Sequence, residues 1–216
     1  MGEPRRVSSQ DCSASTISAS TITCTFPAAT SARNALVAVA SINTTVGNIS
    51  APSGWTDLGA ITTSSSTRSA RLAWKLADGT ETEAKFSLSA GNIGYAWASE
   101  FSALGGAPLV AVAASQHNKT AATGGFWYPN LPQTVYGTPL ILSIVITAAN
   151  TSLHGSSLGT VLHSAARLAV AEYETVMDAQ NIAAFWAWTT SAGWANAALH
   201  LSHRNSGLGT LGVGQV

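Results

Sequence analysis

Apolar residues along this chain either alternate with polar ones or fill short continuous runs, and turn-forming residues separate these stretches. Ala70–Leu76 (ARLAWKL) sets Leu72, Trp74 and Leu76 opposite Arg71, Ala73 and Lys75, the period of a strand. Ala35–Ser41 (ALVAVAS) is an unbroken apolar run, suited to a strand covered on both faces. The same reading predicts strands over Thr21–Phe26, Glu81–Ser89, Tyr95–Phe101, Leu109–Ser115, Leu140–Ala148, Arg167–Thr175, Ile182–Thr189 and Trp194–Ser202. No window carries the helical spacing of apolar residues between capping residues, despite an alanine content that permits helices. The expectation is an all-β protein: an antiparallel β-sandwich, jelly-roll-like, of about ten strands.

An internal echo divides the chain. Ala70-Arg71-Leu72-Ala73-Trp74 recurs as Ala166-Arg167-Leu168-Ala169-Val170, and Gly94-Tyr95-Ala96-Trp97-Ala98 as Gly193-Trp194-Ala195-Asn196-Ala197. An apolar strand precedes each pair, Leu36–Ala40 in one case and Leu140–Val145 in the other. The preserved order predicts two similar halves of one sandwich, since neither half has strands enough to close a core alone. The expected boundaries are an N-terminal arm at 1–20, one sandwich at 21–203 and a glycine-rich tail at 204–216.

Composition narrows the partners. Only 9% of residues are charged and the formal net charge is zero, so there is no field to hold nucleic acid. No apolar run approaches the length of a membrane-spanning helix, and MGEPRRVSSQD is no secretory signal. The expected birthplace is therefore a cytoplasm, without membrane insertion. Cys12 and Cys24 are too few for a disulfide scaffold or a zinc site. Paired, they would tie the arm to the first strand; free, Cys24 would be a small buried hydrophobe.

The first half has a further signature. An apolar strand leads to Ala51-Pro52-Ser53-Gly54-Trp55-Thr56-Asp57-Leu58-Gly59, followed by Leu72-Ala73-Trp74-Lys75-Leu76-Ala77-Asp78-Gly79-Thr80-Glu81, a Phe-Ser-Leu-Ser strand and an aromatic–alanine strand ending at Glu100-Phe101. This order resembles a β-sandwich module of bacteriophage virion proteins, especially minor tail proteins of phages infecting actinobacteria, which also occurs in bacterial surface proteins. The resemblance covers about residues 20 to 203 and implies a structural or adhesive virion component with no catalytic residues. Locally, Pro52 and Gly54 shape a turn and Trp55 closes one end of the core.

The enzymatic motifs lack their context. Gly155-Ser156-Ser157-Leu158-Gly159 with Asp178 and His200 or His203 has the residue order of an α/β-hydrolase triad, but no strand-to-helix elbow surrounds Ser157. Gly207-Leu208-Gly209-Thr210-Leu211-Gly212 opens no helix and so is no dinucleotide fingerprint. His200 and His203 point to opposite faces of a strand, while His154 and His163 read as surface residues. Glu81 with Glu83 and Glu172 with Glu174 read as solvated strand faces rather than calcium or glycosidase carboxylates. Neither a catalytic residue, a cofactor nor a metal is expected.

Aromatic residues supply the remaining candidates. Trp186 and Trp188 share a strand face and read as core, with Trp194 opening the next strand. Phe126, Trp127 and Tyr128 fall in the longest predicted loop, where glycan stacking, a subunit interface and local packing stay open. The expected function is a non-enzymatic virion protein of the tail, assembled in the host cytoplasm, with host-surface adhesion as a further role. A capsid decoration protein and a lectin-like carbohydrate-binding module are the alternatives. Expected partners are other virion proteins, a host glycan, and further copies of the chain. A trimer is favoured, since low charge and open sheet edges both promote association.

Overall fold

The computed structural model describes residues 5–43, 49–63, 68–102, 108–127, 140–148, 153–154, 159–165, 167–174 and 184–203. Their regular structure is strand alone: β1 (Arg5–Thr25), β2 (Ala35–Ile42), β3 (Ile49–Ser50), β4 (Thr56–Thr62), β5 (Ser69–Leu76), β6 (Glu83–Ser102), β7 (Pro108–Trp127), β8 (Leu140–Thr147), β9 (Leu153–His154), β10 (Thr160–Ala165), β11 (Leu168–Glu174) and β12 (Ala184–His203). All pairings among the described residues are antiparallel, the arrangement that short connections between strands allow.

Each half of the chain makes one sheet. The first runs β1-β6-β2-β5-β4 with β3 beside β6, and the second runs β7-β12-β8-β11-β10 with β9 beside β12. The orders are the same once six is added to each strand number. Registers agree as well. The β2–β6 ladder spans Ala35↔Phe101 to Ile42↔Gly94, and β8–β12 spans Leu140↔Leu201 to Thr147↔Trp194. Ala35 also pairs with Leu76, and Leu140 with Glu174. These ladders match Ala35 to Leu140, Leu76 to Glu174 and Phe101 to Leu201. In both halves an extra residue bulges between the outermost pair of strands, Leu58 in β4 and Leu162 in β10.

The ladders also correct the sequence echo. Leu72 matches Val170 rather than Leu168, and Tyr95 matches Ala195 rather than Trp194. The second slip is by one residue and would exchange the two faces of the strand. Alanine-rich sequence repeats its letters at several offsets, whereas the fold preserves which side of the strand is buried.

The two sheets share a core. Val37, Val39, Leu72, Trp97 and Phe101 from the first sheet join Leu142, Ile144, Val170, Leu199 and Leu201 from the second in one buried cluster. Burying each such aliphatic or aromatic side chain stabilises the fold by roughly 1.5–3 kcal/mol. The intervening residues of β2, Leu36, Ala38, Ala40 and Ile42, belong to another buried cluster with Ile22, Cys24, Ala84 and Phe86. β2 is thus buried along its whole length, as its continuous apolar run predicts.

The second cluster exists because β1 and β6 bend together. Arg5–Thr16 pairs with Gly94–Ser102, Thr21–Thr25 pairs with Glu83–Ser87, and register shifts separate the two stretches. Twelve residues of straight strand would hold Cys12 about 40 Å from Cys24. Both instead pack in one outer cluster, and Ile22 reaches the space beside Gly94 that Thr16 and Ile42 also line, so β1 doubles back over the outer face of its own sheet.

Several sequence boundaries change accordingly. Residues 5–20, expected to be an arm, are the leading part of β1; their Ser-rich sequence suits an edge strand with little of its surface in the core. The strands predicted at Glu81–Ser89 and Tyr95–Phe101 are one strand, β6, and those at Ile182–Thr189 and Trp194–Ser202 are one strand, β12. Glycines between them mark bends rather than chain reversals. β7 continues beyond Ser115 to Trp127, and β3, β4, β9 and β10 are additions. The first half also closes a core of its own, which its strand count had argued against. The expected tail at 204–216 lies outside the described residues.

Candidate functional site

Phe126 and Trp127, expected in a loop, end strand β7, where their backbones pair with Phe185 and Ala184. Their side chains, and Tyr128 entirely, lie outside the described residues. So do Ser157, Asp178, the 207–212 glycines and the side chains of His154, Glu174, His200 and His203.

What the structure does bring together are polar groups buried at loops and between halves. The first set forms around Glu81, which leaves the strand that was expected to expose it. Its carboxylate accepts hydrogen bonds from Thr30 Oγ1 (2.7 Å) and from the Asp78 amide, and an ion pair from Lys75 Nζ at 2.6 Å. Burial alone would raise its pKa, yet the bonds from Lys75, Thr30 and the Asp78 amide outweigh it and hold the group at about 2. The same interaction pushes Lys75 upward. Gly79 holds φ at 96°, a left-handed backbone that a side chain would strain, so glycine suits this loop position. Glu83, by contrast, is exposed, as expected.

Glu100 is wholly buried, and its Oε1 accepts from the Ser31 amide (2.9 Å) and from Asn34 Nδ2. Glu81 and Glu100 therefore clamp the 26–34 segment from two sides. Arg6 bridges the halves: it pairs with Asp11 on its own strand and with Glu172 of β11 at 3.0 Å. Glu172 is thus a structural partner rather than a solvated acid.

Arg68 is the most unusual buried group. Its side chain is fully enclosed, donates to Ser41 Oγ at 2.9 Å and lies 5.6 Å from the Tyr95 ring centre. Its Nε and Nη2 find no hydrogen-bond partner among the described residues. Burial first, then the charge of Arg167 from the second half, pull its pKa down to about 9. His163, expected on the surface, is half-buried beside the β10 bulge, and burial lowers its pKa.

The tryptophans read as core are core. Trp186 and Trp188 are buried, and Trp188 meets Trp194 edge-on at 6.1 Å. Trp186 Nε1 donates to the buried Ser143 Oγ at 2.9 Å. Pro52–Trp55 closes as a turn, with Trp55 N bonded to the Pro52 carbonyl and Gly54 at φ 77° in the third position, where a type II turn requires it. Trp55 then packs against the outer core.

Chemically, these groups hold segments in place. A carboxylate with a pKa near 2 and its oxygens engaged by its own loops is a poor proton donor or acceptor at neutral pH. Among the described residues, no group of three or more His, Cys, Asp and Glu side chains gathers to hold a metal ion. Sequence reasoning missed Glu100, Arg68 and the Glu81 clamp. Glu100 carried one signal, a charge between small and aromatic residues in Ala-Ser-Glu-Phe at 98–101. Arg68 and Glu81 stand in polar stretches, Ser-Thr-Arg-Ser at 66–69 and Gly-Thr-Glu-Thr at 79–82, and carried none. Comparison with protein-family models, curated proteins and solved structures returned no match to this chain.

Proposed function

We propose that the chain is a non-enzymatic structural protein of a bacteriophage virion, placed on the tail and exposed at its surface. The observation that carries this reading is how the buried charges are used. Glu81 and Glu100 fasten loops, and Arg6 with Glu172 fastens the halves to each other. Such an arrangement suits a rigid building block. The order of Pro52-Ser53-Gly54-Trp55, Leu72–Glu81 and Glu100-Phe101 adds the resemblance to phage tail modules.

A building block of this kind works by repetition, and we place it in a symmetric homo-oligomer, a trimer by preference. Bulges at Leu58 and Leu162 twist the outer edges of β4 and β10 away from neighbours. Association is accordingly assigned to the edge of β1 and to the segment around Phe126–Pro132.

Mass spectrometry of density-purified particles from the source lysate tests the reading. The protein should band with the particles in stoichiometric amounts with other tail proteins. Its confinement to the soluble lysate fraction would contradict it.

A further inference from the structure

We propose that the buried Arg68 guanidinium is the anchor of a binding site for a small carboxylate, of formate or acetate size, at one end of the sandwich. Arg68 stands just before β5, and its backbone closes the β4–β5 connection. Thr63 N donates to the Arg68 carbonyl at 2.9 Å, and Arg68 N donates to Thr63 Oγ1 at 3.3 Å. The side chain is fully enclosed and reaches Ser41 and Tyr95, which pair across β2 and β6. Ser41 shares a face of β2 with Val37 and Val39 of the shared core, and Tyr95 packs against that core. The guanidinium therefore lies on the inner side of the first sheet.

The use of its nitrogens selects the ligand. Nη1 donates to Ser41 Oγ at 2.9 Å, and Cζ lies over the Tyr95 ring, which leaves the guanidinium edges free of the ring. Nε and Nη2 are buried without partners among the described residues. Nη2 is trans to Cδ, so the Nε–H and one Nη2–H lie on the same edge of the plane and point the same way. That edge is the fork that takes both oxygens of one carboxylate. A lone charge inside a protein is strongly unfavourable, and a paired, hydrogen-bonded one much less so. Among the described residues the ion pairs belong to Arg6, Arg71 and Lys75, and none to Arg68.

The second sheet strengthens the preference for an anion. Arg6 lies opposite Phe101, which pairs with Ala35, and Glu172 lies opposite Leu142, close to Leu140. Their ion pair thus joins equivalent ends of the two sheets. At the other end, Thr147 N donates to the Arg167 carbonyl at 3.3 Å, which sets Arg167 just before β11 as Arg68 stands just before β5. The charge of Arg167 is felt at Arg68. Full enclosure of Arg68 restricts the acid to a few atoms, and a single negative charge matches the single buried guanidinium. This inference does not depend on the proposed function.

The test follows thermal unfolding of the full-length protein at pH 7 as sodium acetate replaces sodium chloride at constant ionic strength, with calorimetric titration of acetate into the folded chain. Wild-type Tm should rise saturably, by about 3 °C at 50 mM acetate, and titration should give one site per chain. Formate should act likewise, and the bulkier benzoate should not. Arg68→Met should be blind to acetate. Arg68→Lys, which keeps a charge but not the fork, should bind acetate at least about ten-fold more weakly. The proposal is overturned by no saturable response in the wild type, by an equal response to benzoate, or by an equal rise in either variant.

Discussion

Leu58 and Leu162 occupy one place in the two halves. Each is the bulged residue of an outermost strand, and each turns toward the shared core. In the first half the next residue is Gly59, at φ 98°, a backbone conformation that a side chain would strain. A bulge repeated at the same ladder position in two strands is a feature of the design, since a one-residue slip would expose the inner face of β4 or β10.

Deleting either leucine should therefore cost more than truncating it. Leu58→Ala and Leu162→Ala should each destabilise by about 1–2 kcal/mol, as half-buried truncations do. Removal of residue 58 or 162 should at least double that loss. Urea midpoints measure both; equal losses would show that the bulge has no role in register.

Trp186 and Ser143 replace Phe86 and Ala38 at matching positions of the two halves. An indole N–H buried without an acceptor costs roughly 1–3 kcal/mol. Ser143→Ala alone should lose about that amount. Ser143→Ala with Trp186→Phe, which rebuilds the first half's pairing, should recover most of the N–H penalty. A double-mutant cycle on chemical unfolding checks this, and additive losses would refute it.

Glu81 gives the fold an acid limit. Its pKa is lowered on folding, from the usual carboxylate value to about 2. The stabilisation is complete above the unfolded pKa of about 4.5 and is lost as pH falls toward 2. Unfolding free energy measured from pH 6 to pH 2 should drop through that window. Glu81→Gln should remove about 2 kcal/mol at pH 7 and flatten the profile.

Arg68 should be dispensable. Two of its guanidinium nitrogens are buried without partners among the described residues, and it shares its surroundings with Arg167. Arg68→Met, which keeps much of the volume and removes the charge, should leave stability equal or higher by up to about 2 kcal/mol. Thermal unfolding decides. A large loss would mean that the Ser41 bond and the Tyr95 stacking outweigh the buried charge.

The apolar strands were readable in the sequence because burial writes itself as period and run length: β2, β5, β8 and β11 all stood out. β4 and β10 did not, since a bulge interrupts alternation and the flanking positions are Thr, Asp, Gly, Ser and His. The leading half of β1 was hidden by its polar edge, where a strand exposes Ser8, Ser9, Ser13 and Ser15. Bends in β6 and β12 looked like turns because glycine serves both. The candidate site suffered most. Glu81 takes Thr30 from 51 positions away, and Glu100 takes Ser31 and Asn34 from 69 and 66, and spacing along one strand carries no trace of such contacts.

The central claim is that two equivalent sheets close on one core and so depend on each other. Equilibrium urea unfolding, followed by hydrogen exchange at amides of both β2 and β8, tests it most directly. The account predicts one transition with coincident midpoints and protection lost together in the two strands. Two separate midpoints, with β2 still protected after β8 has exchanged, would contradict it.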